Sequence, residues 1–161
     1  MAETVPVRKT ETVFDSIREM EDRIRQRAHE IFSGMGNFGK DLDNWLLAEK
    51  ELTWRPAIEL TEENNEFRLK IAVPGVDPKV IDIQATADEI LVKASTREER
   101  EEKKGNVYAS ELKTGDLFRS VRLPKTIDPN RVKAEVKNGI LNLTAPVAEE
   151  VKSKKVQIEA A

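Results

Sequence analysis

Only one stretch of this 161-residue chain has the composition of a nucleotide site. Gly34 to Asp41 reads GMGNFGKD, which satisfies G-x-G-x-x-G and most of G-x-x-x-x-G-K-[ST]. A phosphate loop works by leaving a strand and opening a helix, so that backbone N–H groups and the helix dipole converge on phosphate. Here an amphipathic helix is expected before the glycines, and Asp41 stands where a hydroxyl would hold magnesium. No βαβ unit surrounds the segment, so nucleotide binding is not expected. His29, the single histidine, falls in a charged helix with no ligand set beside it, which leaves metal or acid–base chemistry nothing to build on. Carboxylates are plentiful but lie in charge runs, with no sign of a pair held in a desolvated cleft. With no cysteine there is no disulfide scaffold, thiol nucleophile or thiolate metal site. No catalytic residue and no cofactor are expected, and the chemistry left is that of binding.

The elements that would organise such binding fall into a domain with two arms. Lys and Arg total 27 against 30 Asp and Glu, a net charge of -3, so the basic footprint of a nucleic-acid partner is missing. The N-terminus MAETVPVRKTE lacks the apolar run of a signal peptide, and no segment approaches the roughly 20 apolar residues of a membrane span. A cytoplasmic location is the simplest expectation.

From Glu11 to Phe32, apolar residues at Val13, Ile17, Met20, Ile24, Ala28 and Ile31 trace one stripe of a helix that should end at Ser33-Gly34. A short second helix is expected from Asp41, with Leu42, Trp45 and Leu46 on one side. These pieces have no evident partner within the arm. Their stripe must face the body of the protein, another copy, or something else.

After Trp54 the spacing changes to alternation, and a boundary is expected near Thr53. Strands are predicted at Ala57–Leu60, Phe67–Val73, Ile81–Thr86, Ile90–Ser95, Val107–Leu112, Leu117–Leu123, Val132–Lys137 and Ile140–Ala145. Short strands without helical crossovers argue for an all-β, immunoglobulin-like β-sandwich. The last two strands flank Asn138-Gly139. A two-residue Asn-Gly turn needs positive φ at both centres and so fixes register, pairing Val136 with Leu141 and Ala134 with Leu143. Ala134, Val136, Leu141 and Leu143 then share the core face, with Glu135, Lys137 and Asn142 opposite.

Between Ser95 and Val107, Arg97 to Lys104 reads REEREEKK. The run is either a solvated loop or an arm that carries the Val107–Leu112 strand away from its own sheet. Beyond Pro146 the chain is polar until Val156-Gln157-Ile158. Two β-branched residues at i and i+2 point the same way in an extended chain and suit insertion beside a sheet edge; the alternative is a frayed terminus.

Ala134 to Leu141 fits A-x-x-x-N-G-x-L, and Arg119, Val121, Leu123 and Pro124 fit R-x-[FYV]-x-L-P. Trp54-Arg55-Pro56-Ala57 opens the domain, and Val73-Pro74-Gly75-Val76 lies between. In order and spacing these motifs, spanning Trp54 to Pro146, resemble the α-crystallin domain of the small heat-shock proteins of bacterial and plant type. Leu117, where the family often has Phe, and Val-x-Ile in place of Ile-x-Ile depart from its pattern, and both replacements stay apolar.

The resemblance implies a helical N-terminal arm (1–53), a sandwich domain (54–146) and an extended tail (147–161). It implies an ATP-independent chaperone that holds unfolding proteins, acting as a homo-oligomer built from strand-swapped dimers. The swapped strand would be Val107, Tyr108, Ala109, Ser110 and Leu112, pairing near Ala57, Ile58 and Leu60 of the partner. The anchor Val156 and Ile158 would dock in a groove lined by Ile81 and Ile83 on one side and Ala134 and Val136 on the other. Arg119, Asn138, Gly139 and Leu141 would be structural. Val13, Phe14, Ile17, Met20, Ile24 and Phe32 would offer apolar contact to clients, or serve only as oligomer packing. Implied partners are further copies of the chain, non-native proteins and ATP-dependent refolding chaperones downstream. The competing reading is a co-chaperone-like adaptor on the same sandwich, without holdase activity.

Overall fold

Two five-stranded sheets stack around one apolar core, with a helical pair laid on the outside of one of them. The computed structural model describes residues 2–35, 41–95, 105–106, 108–109 and 115–149. In chain order the elements are β1 (Glu3–Val5), β2 (Val7–Lys9), α1 (Phe14–Met35), α2 (Asp41–Leu52), β3 (Thr53–Trp54), β4 (Ile58–Glu63) and β5 (Glu66–Ala72). There follow β6 (Ile81–Ala85), β7 (Glu89–Ala94), β8 (Asp116–Arg122), β9 (Lys133–Lys137) and β10 (Ile140–Pro146). The first sheet has the order β1-β9-β10-β5-β4 and the second β2-β6-β7-β8-β3.

Turn chemistry sets the register of the first sheet. Asn138 and Gly139 have φ of 54° and 75°, and Val136 faces Leu141 while Ala134 faces Leu143, as an Asn-Gly hairpin demands. Asn64 and Asn65, with φ of 54° and 57°, make a second turn of this kind between β4 and β5. That turn carries β4 to Glu63, past the Leu60 expected from apolar alternation. Buried and exposed residues alternate along β5, β9 and β10, whose inward side chains Phe67, Leu69, Ile71, Leu141 and Leu143 fill the core.

The second sheet is buried on both faces where α1 crosses it. Gln84 and its cross-strand neighbour Leu91 point away from the sandwich core yet are buried. Gln84 Nε2 donates to Ser16 Oγ of α1 at 3.1 Å. The helix starts at Phe14 rather than Glu11 because the Thr12 hydroxyl accepts the Phe14 N–H at 3.0 Å, a capping bond that ends the extended chain there. It continues through Gly34 to Met35.

The stripe with no evident partner in the sequence has two. Met20, Ile24 and Ile31 of α1 pack with Ala48 of α2, and Trp45, Leu52 and Phe118 of β8 complete the cluster. Trp45, expected on one face with Leu42 and Leu46, turns inward, while Leu42 and Leu46 are exposed. Arg27 donates from Nε to Glu51 of α2 at 2.7 Å, and its hydrogen bonds to Glu51 and then to Glu30 raise its pKa above the ordinary guanidinium value. Arg23 reaches across to Asp116 of β8 at 3.2 Å.

Three strands were not expected. β1 and β2 are three residues each around Pro6, too short for an alternation signal and interrupted by a residue that cannot donate to a ladder. β3 pairs in parallel with the start of β8, Thr53 opposite Asp116. That pairing depends on Gly115, where a Cβ would come within 2.4 Å of the Thr53 amide nitrogen and 2.5 Å of the Leu52 carbonyl carbon. Both are backbone atoms and cannot rotate away. Gly115→Ala should therefore push β3 off the sheet and lower stability by about 1–3 kcal/mol, read as a reduced denaturant midpoint at unchanged slope.

Candidate functional site

The feature with the geometry of a binding site is the pair of strand edges at β9 and β6. Each strand is launched by the same local device. Asp77 accepts the Lys79 N–H at 2.9 Å to cap the Pro78–Val80 turn leading into β6. Asp128 accepts the Asn130 N–H at 3.0 Å to cap the Pro129–Arg131 turn leading into β9. Proline after a capping aspartate needs no N–H partner and holds φ for the first turn. Ile81 and Ile83 from β6, with Ala134 and Val136 from β9, are brought to these edges and buried in one core cluster. Ala134 is the small member and leaves space above the β9 edge.

That space is filled by the chain's own N-terminus, which the sequence reading did not anticipate. β1 lies antiparallel on β9, with Val5 opposite Ala134 and Glu3 opposite Val136. β2 lies parallel on β6, with Val7 opposite Ile83 and Lys9 opposite Ala85. Pro6 sits between them, where the chain leaves one sheet for the other and an amide donor has no ladder to join. Val5 is 1% exposed and Val7 packs against the same core. The strap is fastened beyond Val7 by Arg8, whose Nη2 donates to Asp82 at 2.9 and 2.8 Å and whose Nε donates at 3.1 Å. The Thr10 N–H donates to the Ala85 carbonyl at 2.9 Å. The signal that could have revealed the strap is Val-Pro-Val itself, which has the same i, i+2 spacing of β-branched residues as Val156-Gln157-Ile158.

The chemistry available here is recognition of an extended segment. Main-chain bonds to two edges supply affinity, and two adjacent apolar sockets select for β-branched residues. Burying two such side chains is worth roughly 3–6 kcal/mol before the ordering of the segment is subtracted. Among the described residues no cluster of metal-ligating side chains occurs, and no helix is long and apolar enough to cross a membrane.

The other anticipated residues are distributed as follows. Ala57 is exposed and Ile58 and Leu60 half-buried along β4, which among the described residues ends the first sheet and pairs with β5. Tyr108, 95% exposed, and Ala109 lie in no strand, while Val107, Ser110, Leu112 and the REEREEKK run are outside the described residues. Val156 and Ile158 are likewise outside them. Leu141 is fully buried, and Arg119 of β8 is half-buried with its Nε unbonded among the described residues. In the stripe, Val13, Met20 and Ile24 are buried, Ile17 and Phe32 half-buried, and Phe14 exposed. A cavity of about 330 Å³ between the helices and β8 is lined by Ile17, Met20, Ile24, Trp45 and Phe118 among others. Of the glycine-rich segment only Gly34, Met35 and Asp41 are described, and a helix leads into it, where a phosphate loop would need a strand. His29 is exposed on α1.

An open two-sheet sandwich whose edge strands receive an extended segment defines a class of β-sandwich binding modules. Residues 59–159 match the model described as the Hsp20/alpha crystallin family, and the chain belongs to that family. A second model, described only as a protein of unknown function, matches residues 19–53, the helical pair without its first turn. The chain is 36% identical over 103 residues to spore protein SP21 of Stigmatella aurantiaca, covering 64% of this chain and 61% of that protein. It is 31% identical over 104 residues to small heat shock protein C2 of Rickettsia felis, covering 65% of this chain and 68% of that one. Among solved structures, heat shock protein 16.0 of Schizosaccharomyces pombe aligns with a TM-score of 0.55 at 26% identity, over 67% of this chain and 99% of that one. The hspA protein of Xanthomonas axonopodis aligns with a TM-score of 0.52 at 26% identity, over 58% and 94%.

The helical pair is held by a cluster much smaller than the sandwich core, so it is the part of the chain that should detach first. Ile24→Ala in a Trp54→Phe background should weaken its docking by about 2 kcal/mol or more. Trp45 emission should shift to the red, and limited proteolysis should cut within α1 and α2 before the sandwich.

Proposed function

We propose that this chain is an ATP-independent holdase that binds unfolding proteins and keeps them from aggregating, working as a dynamic homo-oligomer in the cytoplasm. The observation that carries the reading is the family match over residues 59–159, on a fold whose edge strands β6 and β9 hold an extended β-branched segment. In this reading residues 54–146 are the assembling domain, 1–53 an arm for oligomer and client contact, and 147–161 a tail. The tail anchor Val156 and Ile158 docks on Ile81, Ile83, Ala134 and Val136 of another copy. Val107 to Leu112 joins the outer edge of the partner's β4 to make the dimer, and released clients pass to ATP-dependent refolding chaperones.

Each tail contact is individually weak, since ordering the tail offsets most of what burial contributes. Many contacts in one particle hold through effective concentration while any one of them can open. Clients meet Phe14, which is 60% exposed, and the exposed Leu42 and Leu46 without any rearrangement. Met20 and Ile24 become available only when α1 and α2 lift from Phe118, and Val13, Ile17 and Phe32 are buried or half-buried at rest.

Light scattering from a heat-aggregating client should fall in the presence of the protein with no nucleotide added, and unchanged scattering rejects the holdase. The adaptor reading predicts a monomer or dimer indifferent to its tail. Val156→Ala/Ile158→Ala should move the holdase assembly toward dimers in size-exclusion chromatography.

A further inference from the structure

We propose that Val5-Pro6-Val7 is a built-in plug for the anchor groove, so that the tail of another copy docks only after the N-terminal strap has left. The inference rests on the reading that the tail uses this groove, and it adds a competitor for the same site within each chain.

The two segments are chemically alike. The strap presents Val5 and Val7 at i and i+2, and the tail presents Val156 and Ile158 at the same spacing. In the strap those side chains already sit at the sockets: Val5 against Ala134, Val7 against Ile83. β1 uses the outer hydrogen-bonding side of β9 and β2 that of β6, and a strand has only one outer side. A second extended segment cannot lie on either edge while β1 and β2 are there. Competition follows from hydrogen-bond capacity as well as from volume.

Their differences balance. The strap is intramolecular, so it competes at a high effective concentration, and Arg8 clamps it to Asp82. The clamp is largely solvent-exposed, which makes it weak and salt-sensitive. The tail has Gln157 where the strap has Pro6, and Ile158 carries a methylene more than Val7 and so buries more apolar surface. The tail is the better ligand and the strap the better-placed one. Lifting the strap would also free the chain leading into α1, whose cap at Thr12 follows Thr10 directly in the strap's path. Tail docking and release of the helical arm are therefore coupled.

The test uses the full chain carrying Val156→Ser/Ile158→Ser, so that its own tails cannot compete, with and without Val5→Ser/Val7→Ser. A fluorescent peptide of residues 150–161 is titrated against both and followed by anisotropy, with circular dichroism confirming that each is folded. The strap variant should bind the peptide about tenfold more tightly or better, as removal of a tethered competitor predicts. An unlabelled peptide of residues 2–10 should displace it. Equal affinity for the two proteins overturns the plug and leaves tail docking standing. Absence of binding to both overturns tail docking and the plug together. Should the double strap variant not fold, Arg8→Ala replaces it. That substitution loosens only the exposed clamp and should still raise peptide affinity, and an unchanged affinity counts against the plug.

Discussion

The outer edges of two open sheets are the constraint on which the rest of this molecule depends. A β-sandwich that does not close into a barrel leaves unpaired N–H and C=O groups on its edge strands, and these must be paired, covered or made unattractive. Here the four edges are handled in three ways. β9 and β6 are capped by the strap, β8 is covered by the two residues of β3, and among the described residues β4 has a partner on one side. The groove, the oligomer contacts proposed for it and the position of the helices all follow from how these edges are paired.

The strap ties the edges to the helical arm. Val5 and Val7 fill sockets that would otherwise expose Ile83 and Ala134, and a few residues later Thr12 caps α1, which lies over Gln84 and Leu91 of the neighbouring strands. Occupancy of the groove and docking of α1 are thus mechanically linked by a short piece of chain. The cluster of Met20, Ile24, Ile31, Ala48 and Trp45 buries the stripe against Phe118, with Arg27–Glu51 and Arg23–Asp116 on its exposed margins. The exposed Arg27–Glu51 pair contributes little net stability, and the apolar cluster does most to hold the arm.

Much of the sandwich was legible because local rules and tertiary demand agreed. Asn138-Gly139 gave a register that the hairpin obeys residue for residue, and the alternation of Phe67, Leu69, Ile71 and Val73 matches their burial. Ile81 and Ile83 lie on β6 and Ala134 and Val136 on β9, within one core cluster. What sequence did not reveal was their occupant. Three-residue strands around a proline carry no period, and their pairing partners lie far along the chain. Gly115 was equally silent, since its reason is the approach of the Leu52–Thr53 backbone rather than a positive φ.

By itself, then, the sequence determined the longer sheet-forming segments from β4 onward, the Asn138-Gly139 turn geometry and the helical stripe, all of which depend on neighbours within a few residues. It also contains two β-branched pairs, Val5/Val7 and Val156/Ile158, without ranking them. The tertiary structure decided that the first pair lies on β9 and β6, that the stripe faces α2 and Phe118, and that Trp45 turns inward while Leu42 faces water. Those choices are set by contacts between residues far apart in sequence, where burial of a matching surface outweighs local propensity.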